Sequence, residues 1–458
     1  MIDLLKQAVG VMQDAGAQFC DARYQKVNRT TIQIVDGGVR SLAEDLTGGL
    51  CLRARSSGSW GYASTNDLDR KKVFLAAERA ASNARLGSSK GILIPAGKAQ
   101  KRDLKAAVGL HPSKVPLEEK LALVKDLEKA QRISPQIVNS NAYYLDSVRT
   151  NWLVNSFGSE LKWEEVRGRL FGQPVASDGI RTELFYNIVD GTKGFDMFKS
   201  LDLEEFGRHC GKEAVGMLSA KKCPSGEQVC ITDPSVTGLL SHEVMGHASE
   251  ADEIIKKRSF LSTVVGKKVA SDLITMVDDG TVEGAYGSIP FDDEGTPSSR
   301  TRIIENGVYR GYMHSLETAA EMQVRPTGNG RAQDPFRRVF VRMTNTYFEA
   351  GDWKLDEMLE DVKFGVMTDR FISGMEDPVG GGFEAKALRG FLIENGKVTD
   401  VLRSFTLTGK ALEILKTTDA VGKDIRLDGG NCGKGNEDFV PVADGGPYCR
   451  SRIILGGG

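Results

Sequence analysis

The chain has 458 residues, enough for about three domains at roughly 150 residues each. Its 60 basic and 62 acidic residues leave a formal net charge of −2, so no basic excess points to a nucleic-acid surface. No apolar run approaches the roughly 20 residues of a membrane span, Met1-Ile2-Asp3-Leu4-Leu5-Lys6-Gln7 does not read as a signal peptide, and seven cysteines without a framework spacing fit a reducing compartment; a soluble cytoplasmic protein is expected.

Ile2, Leu5, Ala8, Val9 and Met12 fall at helical spacing, and Gly16 closes that helix. Thr31–Val35 and Val39–Leu42 flank Asp36-Gly37-Gly38 as a hairpin, and Leu50–Arg55 alternates like a half-buried strand. Residues 66–85 are alanine-rich and helical, and Gly87 to Pro112 reads as a connector. Leu117, Leu121, Val124 and Leu127 mark another helix, strand-like runs follow from Gln136 to about Ile188, and Glu204–Leu218 is helical again. Lys221-Lys222-Cys223-Pro224-Ser225-Gly226 marks a boundary. Beyond it the pattern is mostly β, with Asn306-Gly307 and Asn395-Gly396 as hairpin turns. The fold class is therefore α+β: a mixed α/β N-terminal half and a β-rich C-terminal domain, divided as residues 1–110, 111–222 and 223–458.

The richest stretch is His242-Glu243-Val244-Met245-Gly246-His247, in a chain with five histidines. Glu227–Ile231 reads as a strand leading into it, Asp233 as an N-cap and Pro234 as the first helical residue, with one helix running through His242 to Glu250. Two imidazoles around a carboxylate are how many zinc hydrolases hold an ion and a general base. Here the histidines are five apart, which on a regular α-helix leaves them roughly 140° out of line. Either the helix is distorted between them, as a π-bulge near Gly246 would do, or they do not share one ion. A third ligand is needed. Cys432 stands out in Gly429-Gly430-Asn431-Cys432-Gly433-Lys434-Gly435: glycines let the backbone approach closely, and Lys434 would favour the thiolate. An ordinary loop cysteine is the alternative. His111, His209 and His314 are scattered without helpful neighbours.

Five further stretches matter together with Ser241–Asp252: Asp293-Glu294-Gly295-Thr296-Pro297, Thr327-Gly328-Asn329-Gly330-Arg331, Arg342-Met343-Thr344-Asn345-Thr346, Asn431-Cys432-Gly433-Lys434 and Trp60–Asn66. In this order they make the chain resemble the TldD/PmbA family, once called modulators of DNA gyrase, over essentially its whole length. The resemblance is to the TldD-type branch, because the TldE/PmbA branch lacks the His-Glu-x-x-x-His motif. It implies a zinc metallopeptidase in which His242, His247 and Cys432 bind Zn2+ on a zinc-binding helix in the C-terminal domain, and Glu243 is the general base. It also implies cleavage of unfolded or flexible polypeptides, and a homodimer or a heterodimer with a TldE/PmbA-type subunit around an enclosed site. Two alternatives stay open: a non-catalytic interaction subunit with a structural zinc, completed by Cys230 or Cys449, or a metal hydrolase of a non-peptide amide. A gyrase-related role finds no support in the balanced charge.

The remaining features have bland readings. Glu250, three residues past His247, is a solvated carboxylate or orients that imidazole. Gly380-Gly381-Gly382 and Gly456-Gly457-Gly458 are bends, not nucleotide loops; the first alternatively borders a substrate groove. Asp292, Asp293 and Glu294 are a solvated loop rather than a second metal site. Arg331, Arg337, Arg338 and Arg342 fix a peptide carboxylate or line a partner interface.

Overall fold

The computed structural model describes residues 1–87, 93–95, 97–434 and 437–457. Part of the connector read at Gly87–Pro112, as well as Gly435 and Gly458, lies outside the described residues.

The N-terminal half is one twisted sheet. Its strands run in the order Ser59–Thr65, Gly38–Ser56, Phe19–Val35, Ile137–Asn155, Glu160–Ser177 and Lys101–Leu104, with Thr182–Leu184 and Asn187–Gly191 paired to Glu160–Ser177. The sheet is continuous across residue 110, and Lys101–Leu104 is a strand inside the stretch read as a connector. Asp36 and Gly37, at φ 51° and 75°, form the two-residue turn whose twist suits a hairpin, so the flanking strands are far longer than local alternation indicates. Helices Ile2–Asp14 and Arg70–Arg85 close one end through Leu5, Val9, Met12, Val73 and Ala77, all buried. Leu117–Ala130 and Leu203–Met217 close the other through Val124, Leu127, Phe206 and Cys210. Among the described residues, no helix is long and apolar enough to cross a membrane.

The C-terminal region has two six-stranded sheets. One runs Val308–Tyr309, Arg300–Glu305, Met276–Asp279, Asn345–Phe348, Glu437–Gly446 and Arg426–Lys434. The other runs Lys397–Lys410, Gly382–Glu394, Phe364–Asp377, Gly226–Thr232, Cys449–Gly456 and Ala420–Val421, and closes on itself because Lys397–Lys410 also pairs with Cys449–Gly456. Asn306-Gly307 and Asn395-Gly396 are tight hairpin turns with positive φ, as read. Four short helices (Ala251–Ile255, Leu316–Met322, Leu355–Glu360 and Ala411–Thr417) interrupt the strand pattern. They are too short for a helical period to rise above the surrounding alternation. The chain is α+β, with the β-rich region carrying the histidine helix between its two sheets.

Asp292, Asp293 and Glu294 are not a solvated loop: all three are buried. Asp293 takes Arg23 and, at 3.0 Å, Arg149 from the N-terminal sheet, and Glu294 takes Arg53 at 2.9 Å. Burial pushes the Asp293 carboxyl up, and the two guanidiniums more than reverse it, holding it below its ordinary value. Arg300 and Arg302, their sequence neighbours, instead pair with Glu349 and Glu305. The cluster joins the N-terminal sheet to the C-terminal region.

Candidate metal centre

Asp233 starts the central helix. Its carboxylate accepts from the Ser235 amide (3.1 Å) and hydroxyl (2.7 Å), Thr368 donates to it (2.9 Å), and Pro234 follows. The helix is α over Pro234–Leu239 and changes to π over Leu240–Gly246. The backbone N–H of His247 donates to the carbonyl of His242, five residues back, so the two histidines are separated by one π-turn and lie on one face. Gly246 permits this packing: a Cβ there would stand 2.2 Å from Met343 Sδ. The helix ends at Ala248, two residues short of Glu250.

Cys432 comes from the strand Arg426–Lys434, where the register shifts between Cys432 and Lys434. It is a strand residue at a bulge, not a loop cysteine. Its carbonyl is fixed by Arg342 Nη2 at 2.7 Å. Its sulfur lies 3.2 Å from His242 Nε2 and 3.3 Å from His247 Nε2, and the two imidazole rings stand perpendicular with centroids 5.1 Å apart. Zinc–sulfur and zinc–nitrogen bonds at a tetrahedral angle would separate sulfur and nitrogen by about 3.6 Å, a few tenths of an ångström more than observed, so a small adjustment seats an ion. Among the described residues two groups could hold one: His242, His247 and Cys432, all buried, and Glu243, His247 and Glu376. They share His247.

Electrostatics match a thiolate facing two nitrogen donors. Burial disfavours charge on both imidazoles, but the sulfur overrides it, lifting His242 to about 9 and, with Glu250, His247 well above its ordinary value. Burial likewise opposes the thiolate, yet His247 and His242 hold the Cys432 thiol well below its usual range. Lys434 is not responsible: its ammonium binds Glu250 at 2.8 Å and Asp252 at 2.7 Å. Behind each imidazole stands a carboxylate. Asp444 Oδ2 is 3.8 Å from His242 Nδ1, an atom with no hydrogen bond among the described residues, and Glu250 Oε2 is 3.6 Å from His247 Nδ1. Glu250 is buried, not solvated. Burial raises its carboxyl, but Lys434 and then His247 bring it down to about 2.

Glu243 Oε2 lies 4.0 Å from His247 Nε2 and is partly open to solvent. Glu376 is the site residue that sequence reasoning missed. It comes from the strand Phe364–Asp377, its Oε2 is buried without a hydrogen-bond partner, and burial together with Glu243 and Glu250 pushes it up to about 7 despite His247. No local signal marks it, since one glutamate before a glycine turn resembles any hairpin end. A cavity of about 530 Å³ opens beside these groups, lined by His247, Glu250, Glu376, Phe340, Pro378 and Val379 among others. Gly380–Gly382 forms the adjoining hairpin turn, with Gly381 at φ 67°.

Other candidates fall elsewhere. Cys230 and Cys449 are buried outside the two groups, so among the described residues neither cysteine is a fourth ligand closing the site. His111 and His209 lie near Glu164 and Glu213, and His314 is buried beside Thr318. Arg331 and Arg342 are spent on backbone carbonyls, including Pro441 (2.8 Å) and Cys432 (2.7 Å); Arg337 and Arg338 are exposed.

A helix-borne His/Glu/His set closed by a distant thiolate, beside a cavity that His247 lines, could hold a metal ion with the donor types that hydrolases use. Family models for the first, central and C-terminal domains of PmbA/TldA metallopeptidases match residues 20–84, 110–218 and 225–454. The chain belongs to the PmbA/TldD metallopeptidase family. A metalloprotease of Methanothermobacter thermautotrophicus is 35% identical over 443 residues, 96% of each chain. A protein of Saccharolobus solfataricus named a zinc metalloprotease TldD homolog is 25% identical, covering 97% of this chain and 98% of its own. Among solved structures, one from Thermotoga maritima, described as a modulator of a DNA gyrase, superposes with a TM-score of 0.81 at 21% identity, covering 98% of both chains, and so shares the fold.

Proposed function

We propose that the chain is a zinc-dependent peptidase acting on unfolded or flexible polypeptides, with His242, His247 and Cys432 holding the ion and Glu243 as general base. The observation that carries this is the convergence of three buried donors, with Glu243 beside them, next to a cavity of about 530 Å³ that His247 lines. Zinc bound there supplies Lewis acidity toward a carbonyl oxygen and makes a water molecule easier to deprotonate. Glu243, whose Oε2 lies 4.0 Å from His247 Nε2, would accept a water proton at that oxygen and return it to the departing amine nitrogen. Asp444 and Glu250, behind the imidazoles, keep both rings oriented.

The strand Phe364–Asp377 supports an extended substrate. Among the described residues it pairs with Gly226–Thr232 only at Val366 and Met367, and from Ser373 to Asp377 only with Gly382–Lys386. A peptide adding to that free edge would gain backbone hydrogen bonds with little side-chain selectivity. A folded domain cannot present such a segment. We extend the proposal to a homodimer or a pairing with a TldE/PmbA-type subunit. The outer half of the strand Gly38–Ser56 supports it, being paired on one side and exposing Val39, Leu42 and Leu46. A division into residues 1–110, 111–222 and 223–458, the first two sharing one sheet, and a cytoplasmic setting consistent with seven free cysteines belong to the same reading.

Elemental analysis and cleavage of an unstructured peptide test it. Glu243→Ala keeps zinc and loses activity, whereas His242→Ala, His247→Ala and Cys432→Ala lose both. A fully active Glu243→Ala protein, or purified protein without bound zinc, ends the proposal.

A further inference from the structure

The cavity beside the metal centre carries its charge unevenly. His247 and Glu376 line it, with Glu243 grouped beside them. Elsewhere on its wall the cations are mostly committed. Lys434 binds Glu250 (2.8 Å) and Asp252 (2.7 Å), Arg258 binds Glu253 (2.8 Å), and Lys256 lies 3.7 Å from Glu253 and 3.8 Å from Asp252. Arg338 differs. Among the described residues no carboxylate lies within ion-pair distance of it. Its guanidinium sits over the Phe340 ring at 4.0 Å from the centroid, a ring that Lys434 also approaches at 5.8 Å. Stacking fixes the guanidinium plane while leaving the edge donors free, the arrangement that suits forked recognition of a carboxylate.

We propose that Arg338, on the wall of the cavity that His247 and Glu376 also line, anchors a carboxylate of the bound peptide, an acidic side chain or a free C-terminus. This rests on the peptidase reading. A sphere of the cavity's volume is about 10 Å across, about three extended residues at ~3.3 Å each, so the anchored group stands within about three residues of the bond under attack. Directly beside that bond, Glu243 and Glu376 repel a carboxylate. The same chain therefore selects for an acid at a distance and against one at the reacting centre. Pro378, Val379 and Phe340 on the same wall give the neighbouring side chains an apolar surface.

The test uses the zinc-loaded full chain and a series of unstructured peptides with one Glu or Gln stepped along them, each with a free or an amidated C-terminus. Binding to Glu243→Gln protein is read by fluorescence anisotropy, and cleavage by the unaltered protein as kcat/KM. Peptides with the carboxylate within about three residues of the cleaved bond bind roughly two- to fivefold tighter than their amide twins, the range of a solvent-edged charged pair. The Glu/Gln arm identifies a side chain as the source, and the amidation arm identifies the terminus. The acid-to-amide ratio falls to about one in Arg338→Ala, inverts in Arg338→Glu and is partly kept in Arg338→Lys. Because the ratio is internal to each variant, a misfolded fraction does not alter it. Equal binding of acid and amide peptides, or a preference that survives Arg338→Glu, overturns the inference. A charge preference in binding without any cleavage keeps the anchor and removes the peptidase reading.

Discussion

Replacing Gly246 with alanine tests the link between the π-turn and the metal centre. An ideal Cβ at this position stands 2.2 Å from Met343 Sδ and 3.1 Å from the Ser241 carbonyl oxygen. Ordinary non-bonded contacts are about 3.5–4.0 Å, so the sulfur must retreat by roughly 1.5 Å. Met343 is fully buried within the core that surrounds the helix, which leaves little room for that movement. Overpacking of this kind costs roughly 1–3 kcal/mol, offset in part by alanine's helix preference of about 1 kcal/mol over glycine. If the strain is relieved by a return to regular α-helix, His247 turns away from His242 and Cys432, and zinc affinity falls with stability. Urea denaturation with and without zinc, and competition with a chelator, read the two effects separately. Met343→Ala alone costs about 2–5 kcal/mol by leaving a cavity, and in the double variant the new methyl occupies that space. The pair should therefore cost less than the sum of its parts by over 1 kcal/mol. Additivity within about 0.5 kcal/mol, or an alanine variant with unchanged stability and zinc affinity, refutes the reasoning.

Asp293→Ala leaves Arg23 and Arg149 buried without their shared carboxylate and should lower stability by roughly 3–5 kcal/mol in urea; a shift under 1 kcal/mol would show that the cluster does not hold the two halves together. His314 gives a pH dependence. Burial pushes its pKa down to about 4, so below the unfolded value of about 6.5 the unfolded chain takes a proton that the folded chain refuses. Stability is full above about pH 6.5 and falls by up to about 3 kcal/mol as pH drops to about 4; His314→Gln should flatten that limb, and an unchanged slope would assign the loss to other groups.

Much of this protein is written locally. Asp36-Gly37, Asn306-Gly307 and Asn395-Gly396 each dictate a tight hairpin because only a few residue types take positive φ cheaply. Asp233-Pro234 starts the helix by satisfying and omitting orphan amides, and the five-residue spacing of His242 and His247 already demands a distorted turn if one ion is shared. Burial, by contrast, depends on what the rest of the chain brings. Asp293, Glu294 and Glu250 read as surface carboxylates, yet each is buried against arginine or lysine from distant segments. The approach of Cys432 to the helix across 190 residues follows from the parallel pairing of Asn345–Phe348 with Glu437–Gly446, a register that no short-range pattern encodes. Glu376 reaches His247 only because the hairpin Phe364–Glu394 folds over the centre. Local chemistry sets turns, caps and the type of ligand; which charges are desolvated, and which distant atom completes the cluster, is decided by packing, since Coulomb attraction and metal coordination act through space and not along the chain.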